Sequence, residues 1–336
     1  MKKVRLVDAT LRDGMHAVSH QLSPEDMYEI AKGLNDAGVD TIEVGHGDGL
    51  AGSTVQYGFA KASDEEYLKA VVSAVTDTKV SVLLIPGIGT KKDLKKAADI
   101  GIRVVRVATH CTEADTAEQH IKYAKELGLE AIGFLMMSHM ISKDEILEQA
   151  KLFESYGADA VYVTDSSGAM LPDEVTEKIS HVVKNISVPV GFHSHNNLGL
   201  AVGNSLAAFE AGASYIDGTA KGMGAGAGNT QTEVLAAVFN KAEVETGIDL
   251  YKIMDVAEDI IGPKLVRPQI IDKPALTIGW AGVYGSFLLF AKREAKKYGL
   301  DPREVLIGVS ELKAVGGQED LIIEVAYNLA KEKGLL

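Results

Sequence analysis

Short, nearly continuous hydrophobic runs recur along the chain, and several begin at a glycine that follows a segment with helical spacing. Examples are DAGVDTIEVGH, DIGIRVVRVATH and SYGADAVYVTDS, and SPEDMYEIAKGLNDAG is one of the preceding helical segments. A glycine just past a helix supplies the left-handed cap. A short β-branched run that is apolar at successive positions is typical of a strand buried on both faces. The glycines that begin the five clearest runs are Gly38, Gly101, Gly128, Gly157 and Gly212.

Three further runs, VRLVDAT, VSVLLIP and VPVGFHSH, raise the number of predicted strands to eight. Strands that alternate with helices indicate a parallel sheet, and eight of them predict an α/β fold of the closed (β/α)₈ TIM-barrel type. The main alternative is an open doubly wound sheet. The chain offers it little support, because no phosphate-binding glycine loop follows the first strand.

The repeat accounts for the chain up to Ile261, after which three prolines interrupt it in IGPKLVRPQIIDKPALTIG. Three helical segments follow: WAGVYGSFLLFAKREAKKYG, DPREVLIGVSEL and QEDLIIEVAYNLAKEKG. We therefore predict a barrel domain over residues 1–261 and a small C-terminal helical domain over 262–336. A domain this short is poorly stabilised alone, so we expect it to pack on the barrel.

Charge and cysteine content narrow the function classes. The net charge of −13 over 336 residues disfavours nucleic-acid binding, since such a surface repels phosphate backbones. Cys111 is the only cysteine, which excludes an internal disulfide and favours a reducing cytoplasm. The beginning, MKKVRLVDAT, does not have the pattern of a signal peptide, and no apolar run approaches the length of a membrane helix.

Two histidines one residue apart, His193 and His195, lie at the end of the seventh predicted strand, in GFHSHNNLGL. Alternate residues of a strand point to the same side, so both imidazoles can face one ion, with Asp13 as the third ligand. Mixed nitrogen and oxygen ligands suit Mn²⁺, Mg²⁺, Fe²⁺, Co²⁺ or Zn²⁺. The alternative is a pair of hydrogen-bonded structural histidines. The position at the carboxyl end of a barrel strand, where barrel active sites lie, favours the metal site.

The segment TLRDGMHA adds two further candidates. Arg12 carries a permanent planar charge that fits an oxyanion or carboxylate, and His16 can move a proton near neutral pH. A salt bridge and an ordinary loop histidine are the alternatives. The glycine-rich KGMGAGAGN, from Lys221 to Asn229, could bind an anion through its amides or only let the backbone close over the barrel mouth.

Together, DATLRDGMHA, IEVGHGDGL, DSSGAM, HSHNNLGLAVGNS and KGMGAGAGN resemble the 4-hydroxy-2-oxovalerate aldolases. These are class II pyruvate aldolases within the larger group of 3-hydroxy-3-methylglutaryl-CoA lyase-like barrels. The resemblance spans essentially the whole chain. It implies a cytoplasmic lyase that cleaves 4-hydroxy-2-oxo acids to pyruvate and an aldehyde, acetaldehyde for 4-hydroxy-2-oxovalerate.

The resemblance also implies roles for individual residues. Asp13, His193 and His195 would hold a divalent ion, typically Mn²⁺, with Mg²⁺ or Co²⁺ as alternatives. His16 would take the proton from the C4 hydroxyl, and Arg12 would stabilise the pyruvate enolate. Substrate would be contacted by Arg12, Asp13, Ser166, His193 and Tyr284. By spacing alone, Tyr284 would be a core residue of an amphipathic helix; the resemblance instead makes it a catalytic residue reaching the site from the C-terminal domain.

The same resemblance implies a protein partner. An acylating acetaldehyde dehydrogenase would bind the helical domain, in a hetero-oligomer such as a heterotetramer, and receive the aldehyde through a channel. Two alternative functions remain: another carbon–carbon lyase or synthase of the same group, and a catalytically silent barrel that only scaffolds a dehydrogenase. The glycine-rich loop lacks a cysteine, which disfavours a CoA-ester lyase, and intact Asp13, His16, His193 and His195 disfavour a scaffold.

Overall fold

A computed structural model describes residues 2–336, and its centre is a closed barrel of eight parallel strands in chain order. The predicted TIM barrel is thereby confirmed. The strands are β1 Arg5–Asp8, β2 Thr41–Glu43, β3 Lys79–Leu84, β4 Val104–His110, β5 Glu130–Met136, β6 Ala160–Asp165, β7 Val190–Ser194 and β8 Tyr215–Gly218. The barrel closes where β1 pairs with β8, with Asp8 opposite Gly218.

Helices follow each strand and surround the barrel. They are α1 Pro24–Asp36, α2 Asp64–Ala74, α3 Lys91–Ile100, α4 Glu118–Glu126, α5 Lys143–Ser155, α6 Pro172–Asn185, α7 Ala201–Glu210 and α8 Thr232–Lys241. The five glycines predicted as helix ends all have positive φ, from +74° at Gly128 to +124° at Gly101. The sequence rule that located the strands therefore rests on a real backbone requirement.

Four of these helices start with a capping box, in which a Ser or Thr and an acidic residue three positions later cap each other's backbone amides. The pairs are Ser23 with Asp26, Ser63 with Glu66, Thr90 with Asp93 and Ser142 with Glu145. Each box ends the loop that leaves the carboxyl end of a strand. Such caps define where the helices begin and so fix the lengths of the loops at the barrel mouth.

Two layers of packing flank the strands. Side chains such as Val82, Val105 and Val163 belong to the large core beneath the helices. Alternate strand residues form a second cluster that fills the barrel interior, including Phe134 and Tyr162. The interior is therefore packed with side chains, as is usual for this fold.

The chain beyond the barrel forms helices with their own hydrophobic core. After α9 Leu250–Asp255 and a π-helical turn Val256–Ile261, the chain continues to α10 Lys273–Ala281, α11 Phe287–Tyr298, α12 Pro302–Glu311 and α13 Asp320–Glu332. Ile278, Phe287, Leu306 and Ile322 are among the buried members of the separate core. No helix within residues 2–336 is long and apolar enough to cross a bilayer.

One local expectation was wrong, and one predicted strand ends a residue earlier than expected. The segment WAGVYGSFLLFAKREAKKYG is not one helix, because α10 ends in the left-handed Gly282 and α11 begins only at Phe287. Tyr284 therefore lies in a loop and not on a helix face. His195 lies one residue beyond β7, in an antiparallel bridge with Asn229, so the alternation of a regular strand does not by itself orient its ring.

Candidate active site

The loop after β1 carries three of the predicted site residues. Arg12 precedes a 3₁₀ turn, Asp13–Val18, which contains Asp13 and His16. Two hydrogen bonds hold the start of this loop. The amide of Thr10 donates to Asp8 at 2.9 Å, and the Thr10 hydroxyl accepts from the amide of Ala220 at 2.7 Å. Buried side chains with these partners hold the loop in one conformation.

Asp13, His193 and His195 converge, as the sequence predicts. The atoms each could offer an ion lie within 4.8 Å of one another, and all three residues are buried. Oδ2 of Asp13 is 3.5 Å from Nε2 of His193 and 3.6 Å from Nε2 of His195. Two imidazole nitrogens and a carboxylate oxygen aimed at one point are a donor set suited to a divalent transition metal.

The hydrogen-bond inventory is consistent with an ion at this point. Oδ1 of Asp13 is buried and has no hydrogen-bond partner within residues 2–336. A buried carboxylate oxygen without a partner carries a large desolvation cost, which a cation would remove. Burial alone would raise the pKa of Asp13, but Arg12 and the two imidazoles outweigh it and hold that pKa well below its usual range. The carboxylate is therefore ionised and ready to ligate.

A series of buried, paired charges supports this cluster from inside the barrel. The Arg12 guanidinium donates to Asp13 at 3.0 Å and to Glu43 at 2.6 Å. Arg106 donates to both Glu43 oxygens, at 2.6 and 2.7 Å, and to Asp217 at 2.5 Å. Asp217 in turn lies 2.8 Å from Nδ1 of His193.

The contact between Asp217 and His193 determines how the His193 ring can bind an ion. Burial opposes ionisation of Asp217, but the Arg106 cation and the His193 hydrogen bond lower its pKa. Burial also lowers the pKa of His193 itself, more than its carboxylate neighbours raise it. A neutral His193 that donates its Nδ1–H to Asp217 presents the lone pair of Nε2 toward Asp13. This is the arrangement found in carboxylate–histidine–metal sites.

Sequence reasoning missed Arg106 and Asp217. Each is a charged residue inside an otherwise apolar strand, in VVRVAT and YIDG, and both are buried. A charge within a strand that is buried on both faces requires a partner of opposite charge, so these two positions were recognisable as members of an internal network.

His16 lies at the edge of a histidine group near the same mouth. Its ring centroid is 5.0 Å from that of His20, which stacks on His46 at 3.7 Å. The loop residue Gly47 passes so close that a Cβ there would lie 2.4 Å from Nε2 of His16. His16 is half-buried, as expected of a residue that must reach a substrate.

Ser166 lies at the end of β6, and Tyr284 lies beside the end of β4. The Ser166 hydroxyl accepts from the amide of Met137 at 3.1 Å, and it directly follows Asp165, whose carbonyl accepts from the amide of His195 at 3.1 Å. The ring of Tyr284 lies 6.5 Å from that of His110, the last residue of β4. Burial raises the pKa of the Tyr284 hydroxyl, which keeps it protonated.

The glycine-rich loop closes on the segment that follows β7. The Asn197 side chain accepts from the amide of Ala227 at 2.9 Å, and the Asn229 side chain donates to the carbonyl of Met223 at 2.9 Å. At Gly228, φ is +84° and a Cβ would lie 1.8 Å from the carbonyl oxygen of Gly222. Close backbone packing therefore accounts for glycine here, and it favours a structural role for the loop over an anion site.

Comparison with known proteins identifies the family. The model of the HMGL-like family matches residues 3–260, and that of the DmpG-like communication domain matches residues 269–331. The 4-hydroxy-2-oxovalerate aldolase of Carboxydothermus hydrogenoformans is 66% identical over 330 residues, which are 98% of each chain. This chain belongs to the 4-hydroxy-2-oxovalerate aldolase family. The resemblance stated from the sequence motifs is thereby confirmed, and the family places the protein among the lyases.

Other aldolases of this name are similar over equally long stretches. The protein from Pelotomaculum thermopropionicum is 57% identical over 98% of this chain and 97% of its own, and that from Pseudomonas putida is 56% identical over 99% and 96%. Among solved structures, the carboxyl transferase domain of Rhizobium etli pyruvate carboxylase superposes with a TM-score of 0.84. It is 18% identical and covers 99% of this chain and 61% of that one, so it supports the fold alone.

Proposed function

We propose that the protein catalyses the metal-dependent retro-aldol cleavage of 4-hydroxy-2-oxovalerate, and of similar 4-hydroxy-2-oxo acids, to pyruvate and an aldehyde. One observation carries the proposal: Asp13, His193 and His195 converge beside the Arg12 guanidinium at the carboxyl ends of the barrel strands. The names of the relatives, which are similar over nearly the whole chain, support the same substrate.

Asp13, His193 and His195 would hold the ion, which we propose is Mn²⁺, with Mg²⁺ or Co²⁺ as alternatives. When bound, it supplies a Lewis acid that polarises the keto oxygen of the substrate. The ion's identity is assigned by resemblance, since nitrogen and oxygen donors suit several divalent metals.

Side chains of the protein carry out the remaining catalytic steps. His16 takes the proton from the C4 hydroxyl, the C3–C4 bond breaks, and C4 leaves as the aldehyde carbonyl. The electron pair of the broken bond forms the enolate of pyruvate, and protonation at C3 completes that product. The cation of Arg12 lies next to Asp13 and stabilises the negative charge as it develops on the enolate oxygen.

Ser166 and Tyr284 are assigned to substrate binding and positioning. Ser166 is half-buried at the end of β6, one residue after the Asp165 carbonyl that holds the His195 amide. Tyr284 lies beside the end of β4, in the loop between α10 and α11. Its protonated hydroxyl can donate a hydrogen bond to substrate, in keeping with the substrate contact and the catalytic role that the family resemblance implies.

We also propose that residues 262–336 form a domain that docks an acylating acetaldehyde dehydrogenase, in a hetero-oligomer such as a heterotetramer, and that the aldehyde is channelled to it. The match to a communication domain over residues 269–331 supports this. Exposed apolar side chains there, including Trp280 at 70% exposure, offer a contact surface. A cytoplasmic location is supported by the single, buried Cys111.

A coupled assay tests the catalytic proposal. Protein stripped of metal is given 4-hydroxy-2-oxovalerate, and pyruvate is followed with lactate dehydrogenase and NADH. We expect no turnover until Mn²⁺ is added, and full recovery afterwards. Metal-loaded protein that releases no pyruvate would contradict the proposal. If it still binds the dehydrogenase, the scaffold function is favoured; if it acts on a CoA ester, another lyase or synthase of the group is.

A further inference from the structure

A second group of metal-binding side chains lies beside the candidate active site. The atoms that His16, His20 and Asp48 could offer an ion are within 4.8 Å of one another. His16 and His20 come from the loop after β1, and Asp48 comes from the loop after β2. His20 is buried, whereas His16 and Asp48 are half-buried.

The neighbouring His46 supports this group without belonging to it. Both of its ring nitrogens are engaged: Nε2 lies 3.1 Å from the carbonyl oxygen of Gly58, and Nδ1 accepts from the amide of Asp48 at 3.1 Å. The second contact fixes the backbone of Asp48. The stacking of His20 on His46 at 3.7 Å fixes the plane of the His20 ring.

The buried ring of His20 has few polar contacts. The one hydrogen bond of its ring within residues 2–336 is a long one, 3.4 Å from the amide of Gly47 to Nδ1. Burial, with His16 and His46 adding to it, lowers the pKa of His20 to about 3, so the ring is neutral at physiological pH. A neutral imidazole keeps one ring lone pair, here on Nδ1, and a bound ion would replace the long contact that this nitrogen makes with the Gly47 amide.

We propose that His16, His20 and Asp48 form a second, inhibitory metal site that takes Zn²⁺ or a similar ion with a preference for imidazole. The inhibition rests on the proposed function, because an ion held by His16 occupies the lone pair with which that residue would take the substrate proton. The site itself does not rest on it. Two imidazoles and a carboxylate leave a fourth tetrahedral position for water or substrate.

The two sites differ in the ions they select. Affinity for nitrogen and oxygen ligands rises from Mn²⁺ to Zn²⁺ in the divalent series. The second site is half-exposed and lacks the buried charge network of the first, so we expect Mn²⁺ to leave it empty while Zn²⁺ fills it. Low concentrations of Zn²⁺ would then inhibit enzyme whose first site already holds Mn²⁺.

Counting bound Zn²⁺ tests the site without any assay of activity. Metal-free wild-type protein, Asp48→Asn and His20→Gln are dialysed against buffered Zn²⁺ and the metal per chain is measured. We expect two ions per wild-type chain and one in each variant. Asp13→Ala should also bind one, because it keeps the second site. The matched control is His181→Gln, which removes the imidazole paired with Asp144 at 2.9 Å and should leave the count at two.

Three results would overturn the proposal: one Zn²⁺ per wild-type chain, an Asp48→Asn protein that binds as much Zn²⁺ as wild type, or an Asp13→Ala protein that binds none. The activity arm uses Mn²⁺-loaded enzyme in the pyruvate assay. There, Asp48→Asn should need at least ~10-fold more Zn²⁺ for half inhibition, since loss of one ligand weakens a site by that order or more. If no pyruvate forms under any condition, the proposed function fails while the Zn²⁺ count still decides the site.

Discussion

Two groups of imidazoles and carboxylates lie at the same barrel mouth, and they are held in different ways. In the first, Arg12 fixes Asp13 and Asp217 fixes His193, through hydrogen bonds of 2.8–3.0 Å between buried atoms. In the second, His16, His20 and Asp48 lie on loops and are held by ring stacking, one long amide contact at His20 and a backbone hydrogen bond at Asp48. Similar donor sets are therefore expected to differ in metal affinity and selectivity according to what holds their side chains.

The largest effect is expected from removing the carboxylate of the first group. Asp13→Ala should lose the metal of that site and all measurable pyruvate release, because two imidazoles alone hold the ion poorly and Arg12 loses one of its two carboxylate partners. Metal content by atomic absorption and the coupled assay check this. Asp77→Asn, before β3 at the other end of the barrel, is the control. Normal metal content in Asp13→Ala would remove Asp13 from the ligand set.

Removing the proposed base should separate chemistry from metal binding. We expect His16→Ala to lower kcat by ~10²–10⁴, the usual cost of losing a general base. The Mn²⁺ content and the circular dichroism spectrum should stay at wild-type values, since His16 is not a ligand of the first site. An unchanged kcat would exclude His16 from the mechanism.

Weakening the support of a ligand should have a smaller effect than removing the ligand. Asp217→Asn keeps the shape of the side chain but allows it to donate to Nδ1 of His193, which places the imidazole proton on the wrong nitrogen. We expect the dissociation constant for Mn²⁺ to rise ~10–100-fold. Titration followed by the electron paramagnetic resonance of free Mn²⁺ measures it. An unchanged constant would show that the hydrogen bond at 2.8 Å does not orient His193.

The smallest effect on activity is expected in the second group, where the prediction concerns stability. The pKa of His20 is lowered to about 3 in the folded protein from an ordinary value of 6.5. Below about pH 6.5 the unfolded chain takes up a proton that the native ring refuses, so stability falls as pH falls, until pH approaches 3. His20 alone contributes a slope of up to ~1.4 kcal/mol per pH unit in this window.

Replacing the ring should remove that slope. His20→Gln does not titrate, so its free energy of unfolding in urea should decline less steeply than that of wild type between pH 6 and pH 4. Both proteins are measured under the same metal conditions. Parallel curves would mean that His20 is protonated in the native state as readily as in the unfolded chain.

The fold was predictable because its signals are local. A glycine with positive φ after a helix and a short β-branched run can be recognised within about fifteen residues, and that pattern located the barrel strands. His193, His195 and Asp13 were predictable for a related reason: parallel strands in a closed barrel bring their carboxyl ends to one rim.

The parts that were missed depend on distant or irregular contacts. Arg106 and Asp217 pair across 111 positions of the chain, and neither has a local pattern that names its partner. Tyr284 was misplaced because apolar spacing continues through Gly282–Ser286, where the left-handed glycine ends the helix. His195 is held beyond β7 by Asn229, a contact set by the return of the glycine-rich loop.

The guanidinium of Arg106 has a consequence for the escape route of the product. It lies 4.5 Å from the ring centroid of Phe134 and 5.1 Å from that of Tyr162, in the middle of the cylinder. These aromatic rings and the cation fill the barrel axis beneath the group of Asp13, His193 and His195, so the proposed aldehyde product would not leave along that axis. It would instead leave over the rim, at the carboxyl ends of the strands.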